Sequence, residues 1–497
     1  MGKKIFIDGS GGNIVACFAD DGKLFEFQME KRYAKIVVGS IYRGRVENVL
    51  SGMQAAFVNI GLEKNGYLFT GDLPVDKNDL DADSIPKILN LKVGDEIMVQ
   101  VVKDASGNKG CRLTMHVSFA GRNLVYLPTL ELIGVSRKLT DEKLRSKLLD
   151  IAEKIKPEKG GFIIRTAAQS ASVEELKSEA EYLVRCYEDI LRAFDNAEAG
   201  TMLYEEGNLA RRAFRDIYTD EVEEIVVSDR QLLGEVLVEA KKRGSDIAEK
   251  IVYHDKPTDI FKEYDLDDEI DKMLRNKVYL SSGAYINIDK TEALTAIDVN
   301  TGKYIGEDSL ENTVFETNML AAGEIARQLR LRNIGGIIII DFIDMDEESH
   351  REAVINELRE ALLDDRTKCN VVDMTGLGLV EVTRKKIRRE STSQLVKRCP
   401  YCKGEGVIFS NDYIVMKIRV ALLDLFAQGY KSAIIDLNAE IFDYVFRYGS
   451  LSKDISRVWK DKRIYLVPHK TYHQEFFLVK GDNNFVLDLP DKAKQVF

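Results

Sequence analysis

The stretch Glu292-Ala-Leu-Thr-Ala-Ile-Asp298-Val-Asn300 and the later stretch Ile337-Ile-Ile-Ile-Asp341-Phe-Ile-Asp344 decide the fold of the central region. Each is an apolar strand that ends in an aspartate. A helix predicted over about 308–332 connects them, and such a helix suits a connection between neighbouring parallel strands. We therefore expect Asp298 and Asp341 to emerge side by side at one edge of a sheet.

A carboxylate pair of this kind favours a metal ion, because two facing carboxylates repel each other unless a cation lies between them. A few hard oxygen ligands suit Mg²⁺ or Mn²⁺ with retained waters. Such an ion can stabilise charge on a phosphoryl oxygen and lower the pKa of bound water. Asn300 shares the face of Asp298 and could orient the water or the phosphate. The alternative is that these aspartates are caps or turn formers.

The elements around this pair follow from the same pattern. Residues 284–289 and 293–299 predict a hairpin around Lys290-Thr291. Gly335-Gly336 is the expected stop of the connecting helix, and another helix is predicted over about 347–363.

The N-terminal part is rich in predicted strands. Residues 4–8 and 13–18 are candidate strands around a glycine-rich turn. A second block suggests a small closed barrel of the OB type, since five short strands with glycine-marked turns are typical of it. Its candidate strands are 40–49, 54–60, 66–70, 96–104 and 110–117, with an acidic insertion over about 72–92.

A long helix is predicted to begin after Ser172, which forms a capping box with Glu175. Its expected buried face contains Leu176, Ala180, Val184, Tyr187, Leu191 and Phe194, at helical spacing.

Several side chains are candidates for contact with nucleic acid. Phe57 and Tyr67 lie on barrel strands, where an aromatic ring either stacks a base, at about 1–3 kcal/mol, or fills the interior. Alternation alone leaves both open. Lys109 lies in a turn, where it can meet a phosphate. Arg165 and Thr166 follow a short apolar strand and suit a terminal phosphate, with a surface salt bridge as the alternative.

Two of the six cysteines, Cys399 and Cys402, form a zinc-knuckle-like turn in Cys399-Pro-Tyr-Cys402-Lys-Gly404-Glu-Gly406. Structural zinc takes four ligands. The chain has no second pair of this spacing, and the nearest histidine along the chain is His350. A second copy of the chain would complete a Cys₄ site and give a homodimer. A thioredoxin-like redox pair is the competing interpretation.

Composition sets the broad class. The 497 residues suggest roughly three to five compact units. The chain has no apolar run long enough for a membrane helix and no secretory signal at its start, so a cytoplasmic protein without membrane contact is expected. A net charge of -11 argues against a nucleic-acid partner, but an acidic total can hide a basic groove.

Eight strings, in one order along nearly the whole chain, resemble the catalytic region of the ribonuclease E/G family. They are Ala55-Ala56-Phe57-Val58, Gly107-Asn-Lys-Gly110, Ile164-Arg165-Thr166-Ala167, Ala210-Arg-Arg-Ala-Phe-Arg-Asp216, Glu292-Ala-Leu-Thr-Ala-Ile-Asp298-Val-Asn300, Ala326-Arg-Gln-Leu-Arg-Leu-Arg332, Ile340-Asp341-Phe-Ile-Asp-Met345 and Cys399-Pro-Tyr-Cys402.

The resemblance implies an α+β multidomain architecture. An RNase H-like fold carries two inserted modules and is followed by a DNase I-like catalytic subdomain, a zinc link and a small C-terminal α+β domain. The implied parts are 1–35 and 205–278 for the RNase H-like fold, 36–118 for an S1-type OB barrel, 119–204 for a 5′-sensor region, 279–395 for the catalytic subdomain, 396–410 for the zinc link and 411–497 for the small domain.

The resemblance also implies an activity, a magnesium-dependent endoribonuclease that cuts single-stranded RNA and is stimulated by a 5′-monophosphate. Its products would carry 5′-phosphate and 3′-hydroxyl ends, in rRNA and tRNA processing and mRNA decay. The implied site residues are Asp298 and Asp341 for one Mg²⁺ per protomer, Asn300 as an assistant, Phe57, Tyr67 and Lys109 for RNA, and Arg165 and Thr166 for the 5′-monophosphate with backbone near Gly121 and Val125. Tyr67 stands where the family commonly has Phe.

Partners follow from the resemblance as well. Family members are dimers, or tetramers built as dimers of dimers, with one Zn²⁺ shared between Cys399 and Cys402 of two protomers. The chain ends soon after the small domain, so no long degradosome-scaffold tail is expected. One alternative is a non-catalytic RNA-binding or ribosome-assembly factor with the same fold, which would be expected to lose one of the paired aspartates. A nuclease acting on DNA is the other.

Overall fold

The computed structural model divides into two compact units, residues 1–396 and 397–497. The residues it describes are 2–32, 38–72, 91–105, 109–136, 138–139, 141–241, 245–302, 310–375, 377–386, 388, 390–449, 451, 461–483 and 489–496. Almost all of the predicted acidic insertion lies outside these residues.

The first unit contains most of the secondary structure. Up to residue 204 its elements are β1 (Lys4–Asp8), β2 (Asn13–Asp20), β3 (Lys23–Lys31), β4 (Ile41–Leu50), β5 (Ala55–Asn59), β6 (Gly66–Phe69), β7 (Glu96–Lys103), β8 (Arg112–Thr114), β9 (Phe119–Ala120), β10 (Leu124–Leu127), β11 (Ile133–Val135), α1 (Glu142–Lys154), β12 (Gly161–Ile164), α2 (Val173–Asn196) and β13 (Met202–Tyr204). From residue 209 they are α3 (Leu209–Ile217), β14 (Glu224–Val227), α4 (Arg230–Lys241), α5 (Ser245–Ala248), β15 (Ile251–Tyr253), α6 (Ile260–Glu263), α7 (Asp267–Met273), β16 (Lys277–Tyr279), β17 (Tyr285–Lys290), β18 (Leu294–Asn300), α8 (Leu310–Leu331), β19 (Gly336–Asp341), α9 (Glu348–Ala361), β20 (Cys369–Met374), β21 (Leu379–Arg384) and α10 (Thr392–Leu395).

The N-terminal strands share a sheet with strands that come much later in the chain. The strand order is β15-β14-β1-β2-β3. β1 runs parallel to β14, with Ile5 opposite Ile225, and antiparallel to β2. Helices α3 and α4 bury their apolar sides on this sheet, where Phe214 and Val236 are fully buried. Two distant segments of the chain therefore build one layered core.

A closed barrel forms from the five strands predicted for it. Its order is β4-β5-β6-β8-β7, and β7 pairs back onto β4, which closes the cylinder. Alternate residues such as Val58, Leu68 and Leu113 fill the interior and are fully buried. β13 extends the sheet at one edge of β4. The OB-like barrel is confirmed, with strand bounds within a few residues of the prediction.

A four-stranded sheet with two helices follows the barrel. Its order is β11-β12-β10-β9. The predicted capping box of α2 is confirmed, because Ser172 and Glu175 satisfy each other's backbone N–H groups.

The predicted buried face of α2 is partly wrong. The buried residues are Leu176, Ala180, Leu183 and Ile190, while Leu191 is 42% exposed. The sheet covers the side of the helix that carries Leu183 and Ile190. Leu191 lies about 100° further round the helix, in solvent.

The central region is a six-stranded sheet in the order β16-β17-β18-β19-β21-β20. The predicted hairpin is confirmed as β17 and β18, with Ile288 opposite Ile297. β18 and β19 run parallel and are connected through α8. Helices α8 and α9 pack on the sheet and bury Ile338 and Ile340 completely.

The predicted helix stop at Gly335-Gly336 is wrong. α8 ends at Leu331, and Asn333 adopts the left-handed conformation at φ 52°. The Ile334 N–H donates to the Leu329 carbonyl and the Asn333 N–H to the Arg330 carbonyl, which is a Schellman closure with Asn in place of Gly. Gly336 instead opens β19, where an added Cβ would lie 2.8 Å from Cε of Lys386.

The second unit is the predicted small α+β fold. It contains α11 (Asn411–Ala427), β22 (Ser432–Asn438), α12 (Ala439–Tyr448), β23 (Arg463–His469), β24 (Phe477–Asp482) and β25 (Lys494–Gln495). The sheet order is β24-β22-β23-β25. α11 contributes Ile418 and Leu422 to the core of this unit, and α12 contributes Ile441.

Across the described ranges of both units, no helix combines the length and the apolar character needed to span a bilayer.

Candidate active site

Asp298 and Asp341 are brought together as the sequence predicted. They are direct register partners on the parallel strands β18 and β19, and both side chains are exposed. Because they are register partners, the two carboxylates extend from the same face of the sheet, and neighbouring strands lie about 4.8 Å apart. The row continues to Asn287 on β17 and to Leu379 on β21.

The electrostatics of this pair favour a cation. Burial is the largest effect that raises the pKa of Asp341, and the negative charges of Asp298 and Asp344 raise it further. The folded protein therefore brings these carboxylates together against their mutual repulsion. A divalent ion would relieve that repulsion, and carboxylate oxygens are the ligands that Mg²⁺ prefers.

The site supplies few protein ligands. Among the described residues, no group of three or more His, Cys, Asp or Glu side chains is placed to surround a metal ion. Two carboxylates can still hold Mg²⁺, because this ion commonly keeps several waters and binds through one or two carboxylates. The residues present therefore fit Mg²⁺ better than an ion that needs a full protein cage.

Asn300 contacts the pair directly. Its Nδ2 donates to Oδ2 of Asp298 at 2.6 Å. The amide thus fixes the orientation of that carboxylate, a positioning role that the sequence pattern did not specify.

The aromatic candidates lie on the outside of the barrel. Phe57 and Tyr67 are register partners on β5 and β6, and their rings meet edge to face with centroids 5.9 Å apart. Both are half-buried, while their strand neighbours Val58 and Leu68 point inward and are fully buried. The question left open by alternation is settled, because these rings do not form the barrel core.

Two polar residues that the sequence analysis missed extend this row. Asn48 on β4 is the partner of Phe57, and Arg112 on β8 is the partner of Tyr67. Arg112 is exposed and also pairs with Asp72 at 3.0 Å. The alternation of apolar and polar residues over 110–117 could have predicted that Arg112 lies on the outside of the barrel.

Lys109 is exposed beside the same row. The next residue, Gly110, passes so close to Asn65 that an added Cβ would lie 1.9 Å from its carbonyl oxygen. The Tyr67 N–H donates to the carbonyl of Cys111 at 2.7 Å. The segment that carries Lys109 is therefore tied to the strand that carries Tyr67.

The structure brings Arg165 to Gly121. The Arg165 guanidinium donates to the carbonyl of Gly121 and, at 3.0 Å, to Oδ1 of Asp216. Val125 lies on β10, opposite Ile163 on β12, the strand that leads to Arg165. Thr166 follows directly as the first residue of a short 3₁₀ helix.

Asp216 is a third residue that the sequence analysis did not single out. It contacts both Arg165 and Arg215. Burial would raise the pKa of Asp216, but the guanidiniums of Arg215 and Arg165 outweigh burial and hold the pKa well below its usual range. Asp216 is therefore an anion that positions Arg165.

Cys399 and Cys402 lie in the second unit, in a turn followed by left-handed residues at Lys403 and Gly404. Backbone N–H groups of Cys402 and Tyr401 lower the pKa of the Cys399 thiol, which favours the thiolate that zinc requires. The residues present thus fit half of a structural zinc site.

A histidine packs on this turn although none is near it in sequence. The His473 ring lies 4.3 Å from the ring of Tyr401, and its Nε2 is 2.7 Å from the Tyr401 carbonyl oxygen. It does not form a three-ligand cluster with the two cysteines within the described residues.

Comparison with known proteins gives a consistent result. The sequence profile of the ribonuclease E/G family matches residues 118–387. The chain is 37% identical to ribonuclease G of Haemophilus influenzae over 92% of this chain and 95% of that protein. It is 40% identical to ribonuclease G of Escherichia coli K12, over 81% of this chain and 83% of that protein. It is 33% identical to ribonuclease E of Escherichia coli K12, over 80% of this chain but 38% of that protein.

Proposed function

The chain belongs to the ribonuclease E/G family of endoribonucleases, and from that premise we propose that it cleaves single-stranded RNA by metal-assisted hydrolysis at Asp298 and Asp341. The observation that carries the proposal is the direct pairing of these two aspartates across β18 and β19. The relatives that share most of the chain are named ribonucleases, which counts against a non-catalytic RNA-binding or assembly factor.

The residues of the carboxylate site have distinct roles in the proposed reaction. Asp298 and Asp341 would hold one Mg²⁺, with Asn300 orienting the carboxylate of Asp298. When bound, the ion supplies Lewis acidity and lowers the pKa of a bound water. The products would carry 5′-phosphate and 3′-hydroxyl ends.

The barrel supplies the preference for unpaired RNA. The rings of Phe57 and Tyr67 can stack bases only when those bases are splayed out of a helix. Lys109 and Arg112 beside them can contact the backbone. Charge acts locally, so the net charge of -11 does not by itself exclude contact of this surface with RNA.

The region around Arg165 would recognise the 5′-monophosphate. A guanidinium held by Asp216 and Gly121 presents a fixed cation, and Thr166 beside it adds a hydroxyl. A 5′-triphosphate, with more charge and bulk, would fit this contact less well. The chain would then act in rRNA and tRNA processing and in mRNA decay.

A homodimer would complete the zinc site. Cys399 and Cys402 supply two of the four thiolates that structural zinc takes, and a second copy supplies the others.

The test is a digestion of matched substrates. A 5′-monophosphorylated single-stranded RNA, its duplex and the DNA of the same sequence are incubated with the full chain, with Mg²⁺ or with a chelator. We expect cleavage of the single-stranded RNA alone, only with Mg²⁺, and 5′-phosphate at the new ends. Equal cleavage of DNA, or cleavage in chelator, would overturn the proposal.

A further inference from the structure

A cavity of about 550 Å³ opens beside the carboxylate pair. One wall is the segment Phe342–Met345 that directly follows Asp341, and a second is formed by Met374 at the end of β20 with Thr375, Leu377 and Gly378 of the turn that leads to β21. Arg351 of α9 also lines the cavity. Its volume exceeds that of one nucleobase and is within the range of ordinary ligand sites.

The position of this cavity relates it to the reacting phosphate. Leu379 is the register partner of Asp341, and Gly378 precedes it. The cavity therefore adjoins Asp341 on the side away from Asp298, about one strand spacing from the carboxylate pair. A phosphodiester that lies on the pair would have one of its flanking nucleosides within reach of the cavity.

The polar groups of the cavity are a carboxylate, a hydroxyl and the guanidinium of Arg351, whose Nη1 already donates to two backbone carbonyls, at 2.7 and 3.4 Å. Asp344 supplies an exposed carboxylate. The Thr375 hydroxyl oxygen accepts from the N–H groups of Leu377 at 3.3 Å and Leu379 at 3.2 Å. Both of its lone pairs are then used, so its proton remains to donate to a ligand.

The apolar lining suits a flat ring. Leu377 is 83% exposed at the rim, and Phe342 is buried at the base. Gly378 has φ 80°, and an added Cβ there would lie 3.4 Å from Oδ1 of Asp344. That separation is an ordinary van der Waals contact, so glycine is favoured here by the backbone conformation, which other residues rarely adopt.

We propose that this cavity binds a guanine base next to the scissile phosphate, an inference that rests on the proposed function. The Watson–Crick edge of guanine presents two adjacent donors, N1–H and the N2 amine, to the two oxygens of Asp344. Its O6 accepts from the Thr375 hydroxyl. Adenine, cytosine and uracil each present at most one such donor group beside an acceptor, which would face the carboxylate.

The test scans one guanosine through the positions that flank a single cut. Single-stranded, 5′-monophosphorylated RNAs carry guanosine, inosine or adenosine at each position, and inosine lacks the N2 amine. The rate ratio of guanosine to adenosine is measured for each protein. We expect a ratio on the order of tenfold at one position, with inosine intermediate, since a good bidentate pair to a base gives discrimination of this order.

Two variants test whether the discrimination comes from the carboxylate of Asp344 in the cavity or from negative charge near it. Asp344→Asn should bring the rate ratio of guanosine to adenosine close to one. Asp346→Asn removes the same charge two residues away, from an exposed side chain that does not line the cavity, and should keep the ratio. Because the ratio is internal to each protein, a change in overall turnover cancels.

Binding gives a second measurement that needs no turnover. If Asp344→Asn is inactive, the relative affinity for guanosine and adenosine oligonucleotides is measured by fluorescence anisotropy, with Gly378→Ala as a further variant. No position with discrimination, or a ratio unchanged in Asp344→Asn, overturns the cavity assignment. Loss of all cleavage by the unaltered chain would instead overturn the proposed function.

Discussion

Asp298 and Asp341 are direct partners across two parallel strands, so the pairing of β18 with β19 places both carboxylates on one face of the sheet. We expect Asp298→Asn and Asp341→Asn each to lower the cleavage rate by at least on the order of a hundredfold, since loss of even outer-shell partners of a metal costs 10–100-fold. RNA affinity should stay near that of the unaltered chain, as measured by anisotropy. Asp373→Asn, at an exposed carboxylate outside the site, is the control. Near-normal cleavage by either site variant would contradict the metal assignment.

The paired rings on the barrel predict a loss of binding. Tyr67→Ala should weaken affinity for single-stranded RNA by about 1–3 kcal/mol, because a stacked base is lost. Tyr67→Phe keeps the ring and should bind normally. The measurement is a titration of labelled RNA at fixed salt. Equal affinities for all three proteins would place RNA elsewhere.

The contact of Arg165 with Gly121 and Asp216 predicts an effect limited to the RNA end. Arg165→Ala should reduce the advantage of 5′-monophosphate over 5′-hydroxyl substrates by about tenfold, the value of one hydrogen bond to a charged group. Arg192→Ala, at an exposed arginine on α2, should leave the advantage intact. The comparison is of initial rates on two RNAs that differ only at the 5′ end. An unchanged ratio in Arg165→Ala removes the sensor assignment.

Asp216 predicts a pH-dependent stability. Its pKa is lowered in the folded chain, where the pull of Arg215 and Arg165 exceeds the opposing effect of burial. The stabilisation is therefore present above the pKa of an unfolded aspartate, about 4, and is lost as pH falls toward the lower native value. Asp216→Asn should lower the free energy of unfolding by about 3 kcal/mol at pH 7. The difference should shrink in acid, as followed by urea unfolding across pH, and a constant difference would contradict it.

The turn that contains Cys399 and Cys402 predicts that the protein binds zinc. The purified chain should contain one zinc per two chains, by elemental analysis, and sediment as a dimer or a multiple of one. Cys399→Ser or Cys402→Ser should lose both the zinc and the association. Cys186→Ser, at a half-buried cysteine outside the turn, should lose neither. A monomeric, zinc-free unaltered chain would support the redox interpretation instead.

The sheet edge that carries Asp298 and Asp341 was predictable because its sequence signals are local. One strand is predicted by the run of isoleucines before Asp341, and another by the alternating pattern before Asp298. A connection long enough for a helix predicts that the two strands are parallel neighbours in the sheet. The five barrel strands were predictable for the same reason, since glycines mark their ends. The names RNase H-like and DNase I-like, and the boundaries given with them, stay predictions.

The errors arose where a tertiary contact decides between local alternatives. Asn333 ended α8 before the glycines because its side chain tolerates the left-handed conformation and donates to the Arg388 carbonyl. Leu191 became exposed because the sheet covers the adjacent side of α2. Asp216 and Arg112 were missed because their partners, Arg165 and Tyr67, are far away in sequence.

The parallel pairing of β1 with β14 has a consequence for biogenesis. β1 leaves the ribosome long before its partner strand exists, and the barrel and the four-stranded sheet are both synthesised in the interval. Because domains fold as units during translation, these two modules can reach their native state on the nascent chain while β1 still lacks β14. A chain truncated before residue 224 would then contain a folded barrel, while the sheet that contains β1 would lack β14.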